Sequence, residues 1–112
     1  MSGKTYHLRA DQIRPLATNR GGCLATDRIT VDGQRVGYMY RESPHNPLDS
    51  GWRFFSGDED DAYMADNGHH DVYDVNTIAN CDPEIIPLLD APEGSCFGRD
   101  EQGRFQPEPF PS

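Results

Sequence analysis

Gly51-Trp52-Arg53-Phe54-Phe55-Ser56-Gly57-Asp58-Glu59-Asp60-Asp61 joins an aromatic run directly to four consecutive acids. The run holds the only Trp of the chain and two of its five Phe, residue types that suit a buried, pleated strand. Four adjacent carboxylates cannot share a dry site, so the chain must leave the core near Ser56-Gly57 and meet water. The two-residue period of a strand predicts Trp52 and Phe54 on one face, with Trp52 mostly buried, and Arg53 and Phe55 on the other.

Upstream, Cys23-Leu24-Ala25-Thr26 reads as a short strand. Ile29-Thr30-Val31 followed by Asp32-Gly33 reads as a hairpin, because Asp-Gly suits the positive dihedrals of a tight primed turn. The returning strand would be Arg35-Val36-Gly37-Tyr38-Met39-Tyr40-Arg41. Residues 43–50 contain two prolines and mostly turn formers, a loop expected to connect neighbouring antiparallel strands. Downstream, Ala62-Tyr63-Met64-Ala65 predicts one helical turn whose start carries the acids, where carboxylates are favourable against the helix dipole. Val72-Tyr73-Asp74-Val75 alternates and leads into a capped turn at Asn76-Thr77-Ile78-Ala79-Asn80. Asp82-Pro83-Glu84 has the grammar of a helix start, with Asp82 as cap and Pro83 where no amide hydrogen is needed. Pro87 then limits that helix, and Ile85, Ile86, Leu88 and Leu89 are expected to cover one face of the sheet. Residues 95–105 have the form of a terminal hairpin.

These elements predict a compact single α+β domain. Its centre is an antiparallel sheet of about five strands, with short helices near residues 59–65 and 76–89. Residues 1–21 are expected as a loosely organised N-terminal arm, 22–106 as the domain and 107–112 as a Pro-rich extended tail. At 112 residues, with eleven Gly and nine Pro, the chain suits short elements joined by turns rather than a helical bundle.

The net charge of −9 is unevenly distributed. Residues 54–98 contain eleven acids and no Lys or Arg, whereas residues 1–53 carry eight Lys and Arg against five acids. Such a field repels phosphate and anionic lipid, which argues against nucleic acid and membrane partners and for a cationic one. No apolar run reaches the ~18 residues of a membrane span, and the first residues lack a signal peptide's hydrophobic stretch, so a cytosolic location is expected. Cys23, Cys81 and Cys96 are an odd, widely spaced set that fits reduced, buried thiols.

Motifs of catalysis and cofactor binding are missing. The sequence has no Gly-x-Gly-x-x-Gly, no Gly-Lys-Ser or Gly-Lys-Thr phosphate loop, no His-Glu-x-x-His and no Gly-x-Ser-x-Gly. A calcium loop starting at Asp58 would need glycine where Tyr63 stands and glutamate where His69 stands. His69-His70-Asp71 beside Asp66 would need ligands from elsewhere to hold a metal, because adjacent histidines point apart on an extended chain. The expectation is a protein without catalytic turnover, cofactor or tightly bound metal.

Ordered blocks of the chain resemble a known family. They are residues 22–33, 36–42 and 49–60, then Asn76-Thr77-Ile78-Ala79-Asn80 and Asp82-Pro83-Glu84-Ile85-Ile86. Together, over about residues 22–106, they are similar to a bacterial domain family of unknown biochemical activity, the immunity proteins of polymorphic toxin systems of the type numbered thirty-three. The resemblance implies a cytosolic protein that binds and neutralises a cognate toxin, and it transfers no catalytic or toxin-contacting residue. The charge pattern then nominates Asp58, Glu59, Asp60, Asp61, Asp66 and Asp71 as a surface for a cationic toxin, for example a nuclease cleft that holds phosphates. Tyr63 and Tyr73 are nominated as exposed aromatic anchors. The alternative is a housekeeping or regulatory domain, or a small-molecule enzyme without a recognisable motif, in which the acids cap helix starts and keep the chain soluble.

Overall fold

The structure is a computed structural model and describes residues 4–111. The Trp52 run forms the longest strand, β3 (Asp49–Phe55), within a six-stranded sheet. The other strands are β1 (Gly22–Thr26), β2 (Tyr38–Arg41), β4 (His70–Asp74), β5 (Cys96–Arg99) and β6 (Phe105–Pro107). They lie in the order β4-β1-β3-β2-β5-β6. The α+β class is as expected. The sheet is mixed rather than antiparallel throughout, because β3 pairs with β1 in parallel while the other four ladders are antiparallel.

The parallel pair follows from a hairpin that does not form. Asp27–Thr30 closes one helical turn, α1, with the amides of Val31 and Asp32 both donating to the Asp27 carbonyl. Gly33 has φ +79° and ends this turn, a role as natural for glycine as the hairpin turn expected there. Ile29 is fully buried in the core, which its place in the turn allows. The chain reaches the sheet again only at Tyr38, and β3 then fills the space between β1 and β2.

Trp52 and Phe54 are buried as expected, stacked at 6.0 Å. They pack with Ile29, with Val75 and Ile78 of α3 (Val75–Cys81), and with Ile85 and Leu89 around the 3-10 turn Pro83–Leu88. Side-chain caps hold these elements, the one at Asp82 as the sequence predicts. Asp74 accepts from the Asn76 amide, and Asp82 accepts from the Glu84 amide. Buried Asp82 also takes the Val36 amide and the Arg99 guanidinium, which ties the turn to the sheet. The acid run leads into α2 (Asp61–Ala65), capped by Asp60.

Residues 4–21, expected as a loose arm, run along the helical side of the domain. Lys4 pairs with Asp27 at 3.1 Å, and the His7 amide donates to the Thr30 carbonyl. Asn76 and Asn80, one turn apart on α3, grip the Arg14–Ala17 backbone: Asn76 Oδ1 accepts from Leu16 and Ala17, and both amides donate to the Arg14 carbonyl. Asn76→Ala removes three of these bonds and is expected to cost about 1–3 kcal/mol. Limited proteolysis checks it: cleavage within residues 4–21 should accelerate while the sheet stays resistant. At the other end the Glu108 amide donates to the Cys96 carbonyl and Phe110 packs edge-on against Tyr40, so the tail lies on the sheet.

Among the described residues no helix is long and apolar enough to cross a membrane.

Candidate functional site

Of the nominated acids, Glu59 is committed to the fold. Its half-buried carboxylate accepts from the Thr26 hydroxyl and from the amides of Ser56 at 2.8 Å and Gly57 at 2.9 Å. Burial alone would raise its pKa, but these donors outweigh it and hold the group below its ordinary value. Asp60 caps α2 through the Tyr63 amide, and Asp66 accepts from the Gly68 amide. Both remain exposed, as do Asp58, Asp61 and Asp71. Arg28 is the one Lys or Arg among the described residues that pairs with these acids, lying 3.4 Å from Asp58.

The two nominated tyrosines do not stand out as exposed anchors. Half-buried Tyr63 is stacked on His69 at 4.1 Å, with the Arg28 guanidinium 4.5 Å from its ring centre. Tyr73 is half-buried beside the core, with its hydroxyl 3.1 Å from that of Thr30 and its ring against Tyr6. Tyrosines buried on one side are indistinguishable by sequence from exposed ones.

The face of the sheet opposite Trp52 carries a feature that charge counting missed. Gly51 has φ +90°, and a Cβ there would stand 2.2 Å from the Glu42 carbonyl oxygen. A bulge results, in which two steps along β1 span four along β3, from Gly22↔Asp49 to Leu24↔Arg53. It brings Asp49 under Arg53, which is only 2% exposed. The guanidinium meets Asp49 with two bonds, at 2.9 and 2.8 Å, and donates from Nε to Glu42 at 2.6 Å. Arg53 holds the Asp49 carboxyl well below the usual carboxylate range against the opposing effect of burial, and the amides of His45 and Gly51 add to this. Asp49-x-Gly51-x-Arg53 within a strand was the available signal for this cluster.

Beside Arg53 a cleft of about 480 Å³ opens between the 43–50 loop and β4, floored by Leu24. Leu48 and Val72 line it and are 80% and 66% exposed. Further along this open face Tyr40 stacks on Phe55 at 5.7 Å, bordered by Met64 of α2.

The thiols offer little to nucleophilic chemistry. Burial pushes Cys23 far above its ordinary pKa and Cys81 up to about 11, so both are protonated at neutral pH. Among the described residues no three His, Cys, Asp or Glu side chains converge as a metal-binding group.

No curated protein and no solved structure matches the chain. A model described as the Immunity protein Imm33 domain matches residues 23–108, the stretch that contains nearly all of β1 and every other strand of the sheet. The chain belongs to the Imm33 immunity protein family.

Proposed function

We propose that this chain is the cytoplasmic immunity protein of a polymorphic toxin system, neutralising its toxin by binding a cationic surface with the acid-rich segment 58–71. Membership of an immunity family supports toxin neutralisation in general. The observation that carries the finer reading is the set of exposed carboxylates at Asp58, Asp60, Asp61, Asp66 and Asp71, inside a stretch of 45 residues without Lys or Arg. Exposed acids of this kind attract a basic partner over about 8 Å at physiological salt and speed its association. A toxin that handles phosphates offers such a surface. Inhibition by occupancy needs no catalytic group, which agrees with protonated Cys23 and Cys81 thiols and the missing motifs.

The test replaces the five exposed acids by Asn and leaves Glu59 in place. Asn caps helices about as well as Asp, and exposed ion pairs contribute little, so folding should be nearly unchanged. Association with the toxin is expected to slow about ten-fold or more at low salt, and the difference should shrink as ionic strength rises. Parallel salt dependences for the wild type and the variant would show that the acids are ordinary surface.

A further inference from the structure

We infer that the cleft between the 43–50 loop and β4 is the anchor pocket of the toxin interface, taking one apolar toxin side chain flanked by Lys or Arg. This rests on the toxin-binding reading above and deepens it, because charge alone steers a partner without fixing its register.

Leu48 and Val72 are the two most exposed large hydrophobic residues among those described, and they stand on opposite walls of the same cleft. Leu48 is not exposed through a slack loop. Its carbonyl accepts the Gly22 amide at 2.7 Å, its amide donates to Asn46 Oδ1 at 2.9 Å, and the His45 amide donates to Asp49 Oδ2 at 2.8 Å. Gly21, with φ +91°, lets the chains approach so closely that a Cβ there would stand 2.6 Å from the Leu48 oxygen. The backbone therefore holds the leucine outward against its own preference for burial. No contact within the fold explains that arrangement, and docking would incur little ordering entropy at such a pinned loop.

The charge of the walls selects the partner. Residues 42–52 and 54–98, which form both walls, contain no Lys or Arg. The nearest cation, Arg53, is occupied by Asp49 and Glu42, and that trio carries a net negative charge. Asp74 lies at the cleft on the same face of β4 as Val72, whereas Asp71 points to the other face of the sheet. An apolar side chain entering between Leu48 and Val72 would keep its basic neighbours beside the cleft's own carboxylates. The cleft thus carries its own negative charge and suits a cationic toxin, now with an apolar residue at the centre of the contact.

The experiment uses the full chain and the toxin recovered on it from the native strain, identified by killing cells that lack this protein. The double variant Leu48→Ser, Val72→Thr adds no charge and changes two exposed side chains, with a β-branched residue kept in the strand. Its melting temperature should match the wild type. Toxin binding should weaken about ten-fold or more at every ionic strength, with the salt dependence unchanged. The five-Asn variant should instead alter the salt dependence. Wild-type affinity of the double variant, with the five-Asn variant impaired, would overturn the anchor pocket and leave the acidic reading standing. If no such toxin is recovered, both fall.

Discussion

Trp52→Ala should lower the unfolding free energy by about 3–5 kcal/mol. The indole is 1% exposed, stacked on Phe54 and overlaid by the Arg41 guanidinium. Deleting it leaves a cavity between β3 and the 3-10 turn. It also removes Nε1, which donates to the Leu89 carbonyl at 3.2 Å and so joins sheet to helical layer. A buried acceptor left without its donor adds to the cavity cost. A domain of this size has roughly 5–15 kcal/mol in all, so the loss should be visible as a large shift of the urea midpoint. Trp52→Phe, which fills most of the space but cannot reach Leu89, should fall between the two. Near-native melting of the alanine variant would mean that the ring contributes little to the core.

Arg53→Met is expected to cost a similar amount, about 3–5 kcal/mol at neutral pH, for an electrostatic reason. Methionine keeps the apolar stem but strands the carboxylates of Asp49 and Glu42, the first of them nearly as buried as the arginine. The pH dependence separates this from a packing defect. In the wild type the depressed Asp49 carboxyl adds stability at pH values above its unfolded pKa of about 4, and that stability is lost as pH falls towards the folded value. In the variant the same carboxyl lacks its cation, burial raises its pKa, and the penalty fades as acid protonates it. The gap between the proteins should therefore be widest near neutrality and narrow towards about pH 3. Adding Asp49→Asn and Glu42→Gln should restore much of the loss. A gap independent of pH would assign the cost to packing.

The sequence disclosed the elements whose local signals agree with their tertiary role. Trp52 and Phe54 alternate with Arg53 and Phe55 as the two-residue period of a strand requires, and β3 is where that pattern put it. The cap at Asp82 is read from residue type and spacing and accepts the Glu84 amide, and the acids placed at the start of α2 include its cap, Asp60. What stayed hidden depends on partners distant in the chain. Ile29-Thr30-Val31 suits either a strand or a helical turn, and only the insertion of β3 beside β1 decides between them. The grip of Asn76 and Asn80 on the Arg14 carbonyl spans more than sixty positions, and nothing in residues 4–21 announces it. The candidate site divides in the same way. The excess of acids was plain in the composition, but the commitment of Glu59 to the fold, the stacking of Tyr63 on His69 and the cleft beside Leu48 all arise from tertiary placement.

The position of β1 has a kinetic consequence. Its two ladder partners are β3 and β4, and neither adjoins it in the chain. During synthesis both edges of β1 stay open until residues 49–55 and then 70–74 have left the ribosome. Each pairing must first overcome the entropy of closing a long loop. Topologies dominated by such distant pairings fold in roughly milliseconds to seconds rather than microseconds, and their open edges invite mispairing in the interval. At roughly 5–20 residues per second, the edges of β1 stay unpaired for seconds while the chain is made, so synthesis rather than the final pairing sets how long mispairing can occur.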